Sequence, residues 1–294
     1  MEIIKINNLT KDYGNGKGIF DVTFTIKKGE IFGFLGPNGA GKTTTIRHLL
    51  GFIIPKEKKC IINGLDCNKD IDLIQKKIGY IPGEINLMEE ISGIQFIKFM
   101  ADYRGMKNLG RANELIKRFE LDPRCKIKKM SKGMKQKVGI VIAFMHDPDI
   151  LILDEPTSGL DPLMQNKFVE LIHKAKKEGK TILMSSHIFE EVEHTCDRVV
   201  IIKEGEIVAT EKMEDLRHSR RKYYEICFHD VKEATLFHQQ YPESQVRDTV
   251  VSLSLQGSAD TLIKALSQYT IDDLSVRVQS LEELFLHYYG GNQS

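Results

Sequence analysis

A glycine-rich run is the stretch of this 294-residue sequence with the clearest chemistry, Gly-Pro-Asn-Gly-Ala-Gly-Lys-Thr-Thr at residues 36–44. It fits the pattern G-x-x-x-x-G-K-[ST], in which backbone N–H groups converge on phosphates because glycines leave no Cβ atoms in the way. Lys42 adds a full positive charge, and Thr43 offers a hydroxyl oxygen to Mg²⁺. The run predicts a triphosphate site formed by Gly36, Pro37, Asn38, Gly39, Ala40, Gly41, Lys42, Thr43 and Thr44.

Two adjacent carboxylates follow the apolar run Ile-Leu-Ile-Leu at residues 150–153. Parallel α/β sheets place their sites at the carboxyl ends of strands, so Asp154 and Glu155 are expected to reach the phosphates. Asp154 is expected to hold Mg²⁺ through water. Glu155 is expected to orient or deprotonate the attacking water, a task that accelerates reactions about 10²- to 10⁴-fold. The structural alternative is an acidic turn before Pro156.

These residues require a parallel α/β core to position them. The strands predicted from apolar runs and alternation are residues 3–7, 22–26, 31–35, 150–153, 181–184, 199–202 and 207–208. A helix is expected directly after the glycine-rich run, where its N-terminus brings about half a positive charge to the phosphates. Helical periodicity over residues 92–122 indicates a helical insertion. Strands alternating with helices favour a parallel sheet.

The composition excludes several classes of protein. Lys and Arg number 42 against 41 Asp and Glu, a net charge of +1, which argues against nucleic acid as the main partner. The five cysteines are scattered and lack the spacing of a zinc site, so reduced thiols are expected. No apolar stretch reaches the ~18 residues of a membrane-spanning helix, and the N-terminus does not resemble a signal peptide. A cytoplasmic chain is expected, with any membrane-spanning part supplied by another chain.

Further motifs make residues 2–216 resemble the ATP-binding subunit of an ATP-binding cassette (ABC) transporter. Residues 130–137, Met-Ser-Lys-Gly-Met-Lys-Gln-Lys, resemble the family's signature segment, and residues 158–161, Ser-Gly-Leu-Asp, match its D-loop. His187 matches the family's switch histidine. The resemblance implies ATP and Mg²⁺ as cofactors, with Glu155, His187 and Lys42 as catalytic residues. The nucleotide contacts that it adds are Tyr13, stacked on adenine, and Ser131, Gly133 and Asp161.

The resemblance also implies a dimer, because in this family the signature segment of one subunit closes over the ATP held by another. A loop with Ser131 and Gly133 at the start of an apolar helix is a second anion site, which fits a head-to-tail pair of chains. A homodimer is favoured because this chain holds every element of a complete site. Pairing with a related ATPase stays open.

Three positions depart from the family pattern. Gly83 stands where the family usually has a glutamine, so Glu84, a neighbouring residue or water must replace that side chain. In the signature segment, Lys132 replaces the first glycine and Met134 replaces the glutamine.

The sequence is predicted to form an α/β fold: a P-loop NTPase core of ABC type with an antiparallel β subdomain and a helical insertion, plus a small C-terminal α/β accessory domain. The expected nucleotide-binding domain spans residues 1–217, with a helical subdomain at about 90–145, and the accessory domain spans 222–294. Residues 218–222, His-Ser-Arg-Arg-Lys, are the expected linker.

Residues 185–193 and the ending at 276–289 resemble stand-alone ATPases of bacterial drug, antibiotic-peptide or polysaccharide exporters. This resemblance implies that ATP binding, dimer closure and hydrolysis drive export through integral membrane permease subunits, with the chain peripheral on the inner face of the membrane. No nucleic acid partner is expected. The alternative is a soluble ABC-type ATPase that acts on ribosomes or DNA. The single cassette, with about ninety residues between Gly41 and Ser131, argues against it.

Overall fold

The computed structural model describes residues 1–55 and 59–289, with side chains up to residue 285. The chain divides into two compact units, residues 1–211 and 212–294. The strands of the first unit are β1 (Glu2–Asp12), β2 (Gly18–Lys27), β3 (Ile31–Leu35), β4 (Cys60–Ile62), β5 (Leu65–Asp66), β6 (Ile78–Ile81), β7 (Ile150–Asp154), β8 (Thr181–Ser186), β9 (Arg198–Lys203) and β10 (Glu206–Lys212). Its helices are α1 (Lys42–Leu49), α2 (Ile71–Lys77), α3 (Gly93–Tyr103), α4 (Gly110–Arg118), α5 (Lys132–Phe144), α6 (Pro162–Lys177) and α7 (Phe189–Thr195).

A six-stranded sheet forms the centre of the first unit, in the order β10-β9-β3-β8-β7-β6. The strands from β9 to β6 run parallel to one another. Strands β3, β7 and β8 are buried along their whole length, as expected of parallel strands that are covered on both faces. The register sets Leu35 beside Ser186 and Asp154 beside Ser185, so the ends of the three strands meet at one edge.

An antiparallel sheet, β2-β1-β4-β5, shares its apolar core with the parallel sheet. The ring of Phe24 in β2 stacks on that of Phe32 in β3, with the centroids 5.1 Å apart. Helices α3, α4 and α5 lie between β6 and β7 in the chain. Helix α3 begins with a capping box formed by Ser92 and Gln95. The parallel core, the antiparallel subdomain and the helical insertion that the sequence predicts are confirmed.

The second unit is an α/β domain of its own. Its elements are α8 (Met213–Ser219), β11 (Arg221–Phe228), α9 (Val231–Gln240), β12 (Gln245–Arg247), β13 (Val250–Gln256), α10 (Asp260–Leu266), β14 (Ile271–Val278) and α11 (Leu281–Tyr289). The strands form one antiparallel sheet, β12-β13-β11-β14. Side chains of β11, α9, β13 and α10 form its buried core, among them Ile226, Phe237, Val251 and Leu262.

The prediction of a linker at residues 218–222 is wrong. Residues 218 and 219 end α8, and only Arg220 separates that helix from β11. Arg221 and Lys222 extend β11 because they pair with Gln256 and Leu255 of β13. Pairing with a strand more than thirty residues away overrides the local polar composition. The sequence of residues 218–222 alone does not indicate that pairing.

Candidate functional site

The phosphate loop connects β3 to α1, and its glycines fix its path. Gly39 and Gly41 adopt left-handed backbone conformations, with φ of 81° and 110°. A Cβ atom on Gly41 would lie 2.5 Å from Ile19 Cγ2, so no other residue fits there without rearrangement. In the described structure no side chain caps the N-terminus of α1, which leaves its first N–H groups to an anion.

Lys42 links this loop to the end of β7. Its Nζ donates hydrogen bonds to the carbonyl oxygens of Gly36 at 2.6 Å and Pro37 at 3.1 Å. The same Nζ lies 3.5 Å from Glu155 Oε1. Burial lowers the pKa of Lys42, and the neighbouring Glu155 carboxylate opposes that shift. A buried cation that is held by carbonyl oxygens and one carboxylate is ready to exchange these partners for phosphate oxygens.

Asp154 is the fully buried carboxylate at the end of β7. Its Oδ2 accepts a hydrogen bond from Thr43 Oγ1 at 2.8 Å, and its Oδ1 accepts one from Ser185 Oγ. A hydroxyl and a carboxylate oxygen are ligands that suit Mg²⁺, which takes one or two protein groups and completes its shell with phosphates and water. The described residues contain no cluster of three or more His, Cys, Asp or Glu that could hold a metal. Thr43 and Asp154 therefore fit Mg²⁺.

Glu155 turns away from the strand and meets His187. Its backbone is left-handed, with φ of 47°, a strained conformation for a residue with a side chain. The turn is held because Glu155 N–H donates to the backbone oxygen and to Oγ of Ser185, at 3.2 and 3.1 Å. His187 Nδ1 lies 3.3 Å from Glu155 Oε1, the same oxygen that Lys42 approaches. The structure brings all three predicted catalytic residues together.

Gly83, at the position of the family's glutamine, lies directly against the carboxylate of Asp154, which fits Mg²⁺. A Cβ atom at this position would stand 3.1 Å from Asp154 Oδ2. Glu84, one of the expected replacements, is exposed. The backbone at position 83 therefore approaches the site where a longer side chain was expected to reach it.

The signature segment and the D-loop contact each other within one chain. Ser131 caps α5, because its Oγ accepts a hydrogen bond from Met134 N–H at 3.2 Å. A Cβ atom on Gly133 would lie 2.5 Å from the carbonyl oxygen of Gly159, so the glycine permits this close packing. Lys132 Nζ donates to Ser158 Oγ at 2.7 Å.

Asp161 and Tyr13 lie in two further parts of the first unit. Asp161 caps α6 through a 3.0 Å hydrogen bond from Met164 N–H. Tyr13 lies in the turn between β1 and β2, 56% exposed, with Lys11 Nζ 5.3 Å from its ring centre. An exposed ring at this turn is accessible to a planar partner.

Sequence reasoning missed three residues that support the site. Gln136, buried in α5, donates to the carbonyl oxygen of Pro156 at 2.7 Å and so anchors the residue after Glu155. Ser185 holds Asp154 and Glu155, as described above. The carboxylate of Glu191 accepts hydrogen bonds from Thr157 Oγ1, at 2.6 Å, and from Ser186 Oγ. Burial raises the pKa of Glu191. Gln136 lies between Lys135 and Lys137, and Glu191 follows Glu190, so residue type distinguishes neither of them from its neighbours in the sequence.

A groove of about 1160 Å³ lies apart from this edge of the sheet, lined by the helical insertion and by residues that follow α1 and α5. Phe52 and Tyr103 line it and are 59% and 78% exposed. Arg104 and His146 also line it, and each has a buried nitrogen without a hydrogen-bond partner in the described part of the chain. The groove therefore combines exposed aromatic rings with polar atoms that have no partner.

The parallel sheet, with a phosphate loop after one strand and an acidic pair at the end of another, defines a P-loop NTPase. A sequence profile described as "ABC transporter" matches residues 19–158. The bacitracin transport ATP-binding protein BcrA of Bacillus licheniformis is 36% identical, over 98% of each chain. The chain belongs to the ATP-binding proteins of ABC transporters, a family of ATPases.

Two further comparisons agree with this assignment. The chain is 37% identical to the uncharacterized ABC transporter ATP-binding protein MJ1023 of Methanocaldococcus jannaschii, over 92% of this chain and 97% of that one. Among solved structures, it is similar to the dimeric post-hydrolysis state of the ATP-binding cassette MJ0796 bound to ADP and Pi. That match has a TM-score of 0.64 and 27% identity, and it covers 72% of this chain and 99% of the other. Among the helices of the described residues, none has both the length and the apolar composition needed to cross a membrane.

Proposed function

We propose that this chain couples ATP binding, closure of a head-to-tail dimer and ATP hydrolysis to export of a substrate by separate membrane-spanning subunits. The observation that carries the proposal is the convergence of Lys42, Glu155 and His187 beside the Thr43–Asp154 pair. In this proposal the nucleotide-binding domain, predicted from the sequence as residues 1–217 with a helical subdomain at about 90–145, corresponds to the first compact unit. The accessory domain, predicted as residues 222–294, corresponds to the second unit, which begins at Lys212.

Each residue at this edge has a distinct task. The phosphate loop, residues 36–44, binds the phosphates of ATP, and Lys42 neutralises their charge. Tyr13 stacks on the adenine. Thr43 and Asp154 hold Mg²⁺, which when bound neutralises charge on the transferred phosphoryl group. The buried position of Asp154 and its two hydroxyl partners support this role, because they fix the carboxylate in place.

Hydrolysis requires a water molecule positioned for attack on the γ-phosphorus. Glu155 orients that water or accepts a proton from it as the new P–O bond forms, while the bond to the ADP oxygen breaks. His187 contacts the γ-phosphate. The strained backbone of Glu155 supports this assignment, because such conformations cluster at active sites where the surrounding structure enforces them.

A second chain completes the site. Ser131 and Gly133 stand at the N-terminus of α5, a helix of 13 residues, where N–H groups can bind the γ-phosphate of the partner's ATP. Asp161 lies in the D-loop beside them, and the Lys132–Ser158 hydrogen bond ties the two segments together. The similarity to a dimeric cassette supports this arrangement. A homodimer is favoured because this chain contains both halves of the site.

The groove supports docking of a membrane partner. Phe52 and Tyr103 expose aromatic rings there, and such exposure on a monomer marks interaction sites. In this proposal a cytoplasmic segment of an integral membrane permease binds the groove, which places the chain on the inner face of the membrane. The direction of transport is proposed from the resemblance of residues 185–193 and 276–289 to stand-alone ATPases of bacterial exporters.

Affinity purification from detergent-solubilised membranes of the native cell tests this function. The bait is the Glu155→Gln chain, with ATP present to hold the closed dimer. We expect a multi-spanning membrane protein to co-purify. A second bait, which carries Tyr103→Glu as well, should no longer recover this membrane protein. A third bait, which instead carries Leu236→Glu at an exposed apolar residue of α9, should still recover it. Recovery of ribosomal or DNA-bound proteins without a membrane protein would instead favour a soluble ATPase.

A further inference from the structure

Strand β14, at one end of the C-terminal sheet, exposes apolar side chains on the face that elsewhere forms the core. Leu274 pairs with Ile226 of β11, and Val276 pairs with Tyr224. Directly opposite residues share one face of a sheet. Ile226 and Tyr224 are buried on that face, whereas Leu274, Val276 and Val278 are 41%, 50% and 48% exposed. Within the described part of the chain, the apolar stripe of β14 is therefore left largely exposed.

The backbone of the same residues points to the open edge. Gln279 N–H donates to the carbonyl oxygen of Arg221 at 2.8 Å, which makes this pair a hydrogen-bonded one. Hydrogen-bonded and non-hydrogen-bonded pairs alternate along an antiparallel ladder. The N–H and C=O groups of Leu274, Val276 and Val278 therefore point away from β11. No described strand pairs with this edge.

We propose that β14 pairs with β14 of a second copy of this chain, antiparallel about a two-fold axis at Ser275. In this register Leu274 lies opposite the partner's Val276, and both have edge-facing backbone groups. On the other face, Asp273 lies opposite the partner's Arg277. Because the axis repeats each pair, the interface contains two aliphatic pairs and two ion pairs.

The charges on β14 favour a second copy over an unrelated strand. Asp273 forms no ion pair within the described chain, and its carboxylate accepts only a hydrogen bond from Leu274 N–H. Arg277 donates to Glu283 at 2.6 Å and lies over the Tyr223 ring, 4.7 Å from its centre, which holds the guanidinium on the outer face. One strand thus presents an acid and a base at equal distances from Ser275, a self-complementary pattern.

This interface is separate from the proposed ATP-dependent contact, because it uses only the second unit and needs no nucleotide. The two proposals can therefore fail independently. A chain with Lys42→Ala should still pair through β14, while losing any dimer that depends on ATP.

A cysteine at the two-fold axis tests the register. We would place Ser275→Cys in a full-length chain whose partly exposed cysteines, Cys125 and Cys227, are serine. Position 275 would face its own copy as a non-hydrogen-bonded pair, at about the Cα separation that a disulfide spans. Oxidation without nucleotide should give a disulfide-linked dimer as the main product. Ser252→Cys, equally exposed on the inner strand β13, should stay monomeric. Equal yields from both variants would overturn the proposal.

Charge exchange tests the ion pairs in the otherwise unmodified chain. With Asp273→Arg, an arginine at position 273 faces the partner's Arg277, and the two-fold axis repeats this repulsive pair. Sedimentation equilibrium without nucleotide should therefore show about tenfold weaker self-association. Adding Arg277→Asp to it should restore the association, because the opposite charges then face each other again. A chain that is monomeric before any substitution, or a double variant no stronger than Asp273→Arg alone, would contradict pairing in this register. In the first case the edge would be left for a strand of another protein.

Discussion

Gly83 and Asp154 are packed so closely that a Cβ atom at position 83 would stand 3.1 Å from Asp154 Oδ2. The carboxylate cannot move aside easily, because Thr43 holds one of its oxygens and Ser185 holds the other. In a relative with glutamine at this position, the backbone of that residue or the neighbouring carboxylate must therefore be placed differently. In this chain the absence of a side chain is part of the geometry around the proposed Mg²⁺ site.

Gly83→Ala should therefore lower ATP hydrolysis. Displacing the Asp154 carboxylate, which we propose holds Mg²⁺, by a few tenths of an ångström should cost about tenfold in turnover, as changes next to metal ligands do. The Mg²⁺ dependence of steady-state ATPase activity measures this effect. Gly110→Ala is the control, since its added methyl group would meet only the flexible end of Asn108. Unchanged activity of Gly83→Ala at low Mg²⁺ would show that Asp154 does not act through this geometry.

Lys42→Ala should weaken nucleotide binding itself. The lysine directs a full positive charge into the phosphate loop, and charge-assisted hydrogen bonds contribute about 1.5–3 kcal/mol each, or roughly 10- to 100-fold in affinity. Equilibrium titration with a fluorescent ATP analogue measures the change. Lys69→Ala, at an exposed lysine outside the loop, should bind as the unsubstituted chain does. Equal affinity of the two variants would contradict the phosphate-loop assignment.

Glu191→Ala should slow hydrolysis without weakening ATP binding. The Glu191 carboxylate joins Thr157, two residues after Glu155, to Ser186, just before His187. Without it, the two catalytic side chains lose their common support, and turnover should fall about tenfold. The expected signature is a reduced kcat at an unchanged KM for ATP. Glu190→Ala, at the exposed neighbouring carboxylate, is the matched control and should keep full turnover.

His146 should make the first unit less stable in acid. Burial, followed by the nearby Arg104 charge, lowers the pKa of His146 from 6.5 to about 4. Between these values the unfolded chain binds a proton that the folded chain does not, so stability falls as pH falls from 6.5 towards 4. His146→Gln should remove about 3 kcal/mol of this pH dependence in urea unfolding. An unaltered pH dependence, equal to that of exposed His194→Gln, would exclude His146 as its source.

Sequence reasoning was strongest where a function depends on neighbouring residues in the chain. The glycine-rich run and the Asp154–Glu155 pair are local patterns, and their strand contexts are equally local. The start of β11, at Arg221 and Lys222, was predicted as linker because its stability comes from pairing with distant β13. The supporting roles of Ser185 and Glu191 depend on contacts between separate elements, which residue type alone does not indicate.

Glu155→Gln tests the central claim most directly. The substitution keeps the shape of the side chain but removes the carboxylate that Lys42 and His187 approach. We predict normal ATP affinity and a loss of hydrolysis of at least about 100-fold. With Asp273→Arg added to weaken the proposed β14 contact, sedimentation velocity should show a dimer with ATP that ADP does not support. Glu190→Gln should hydrolyse ATP at the unsubstituted rate. Near-normal turnover by Glu155→Gln would remove Glu155 from its catalytic role and contradict the proposed mechanism.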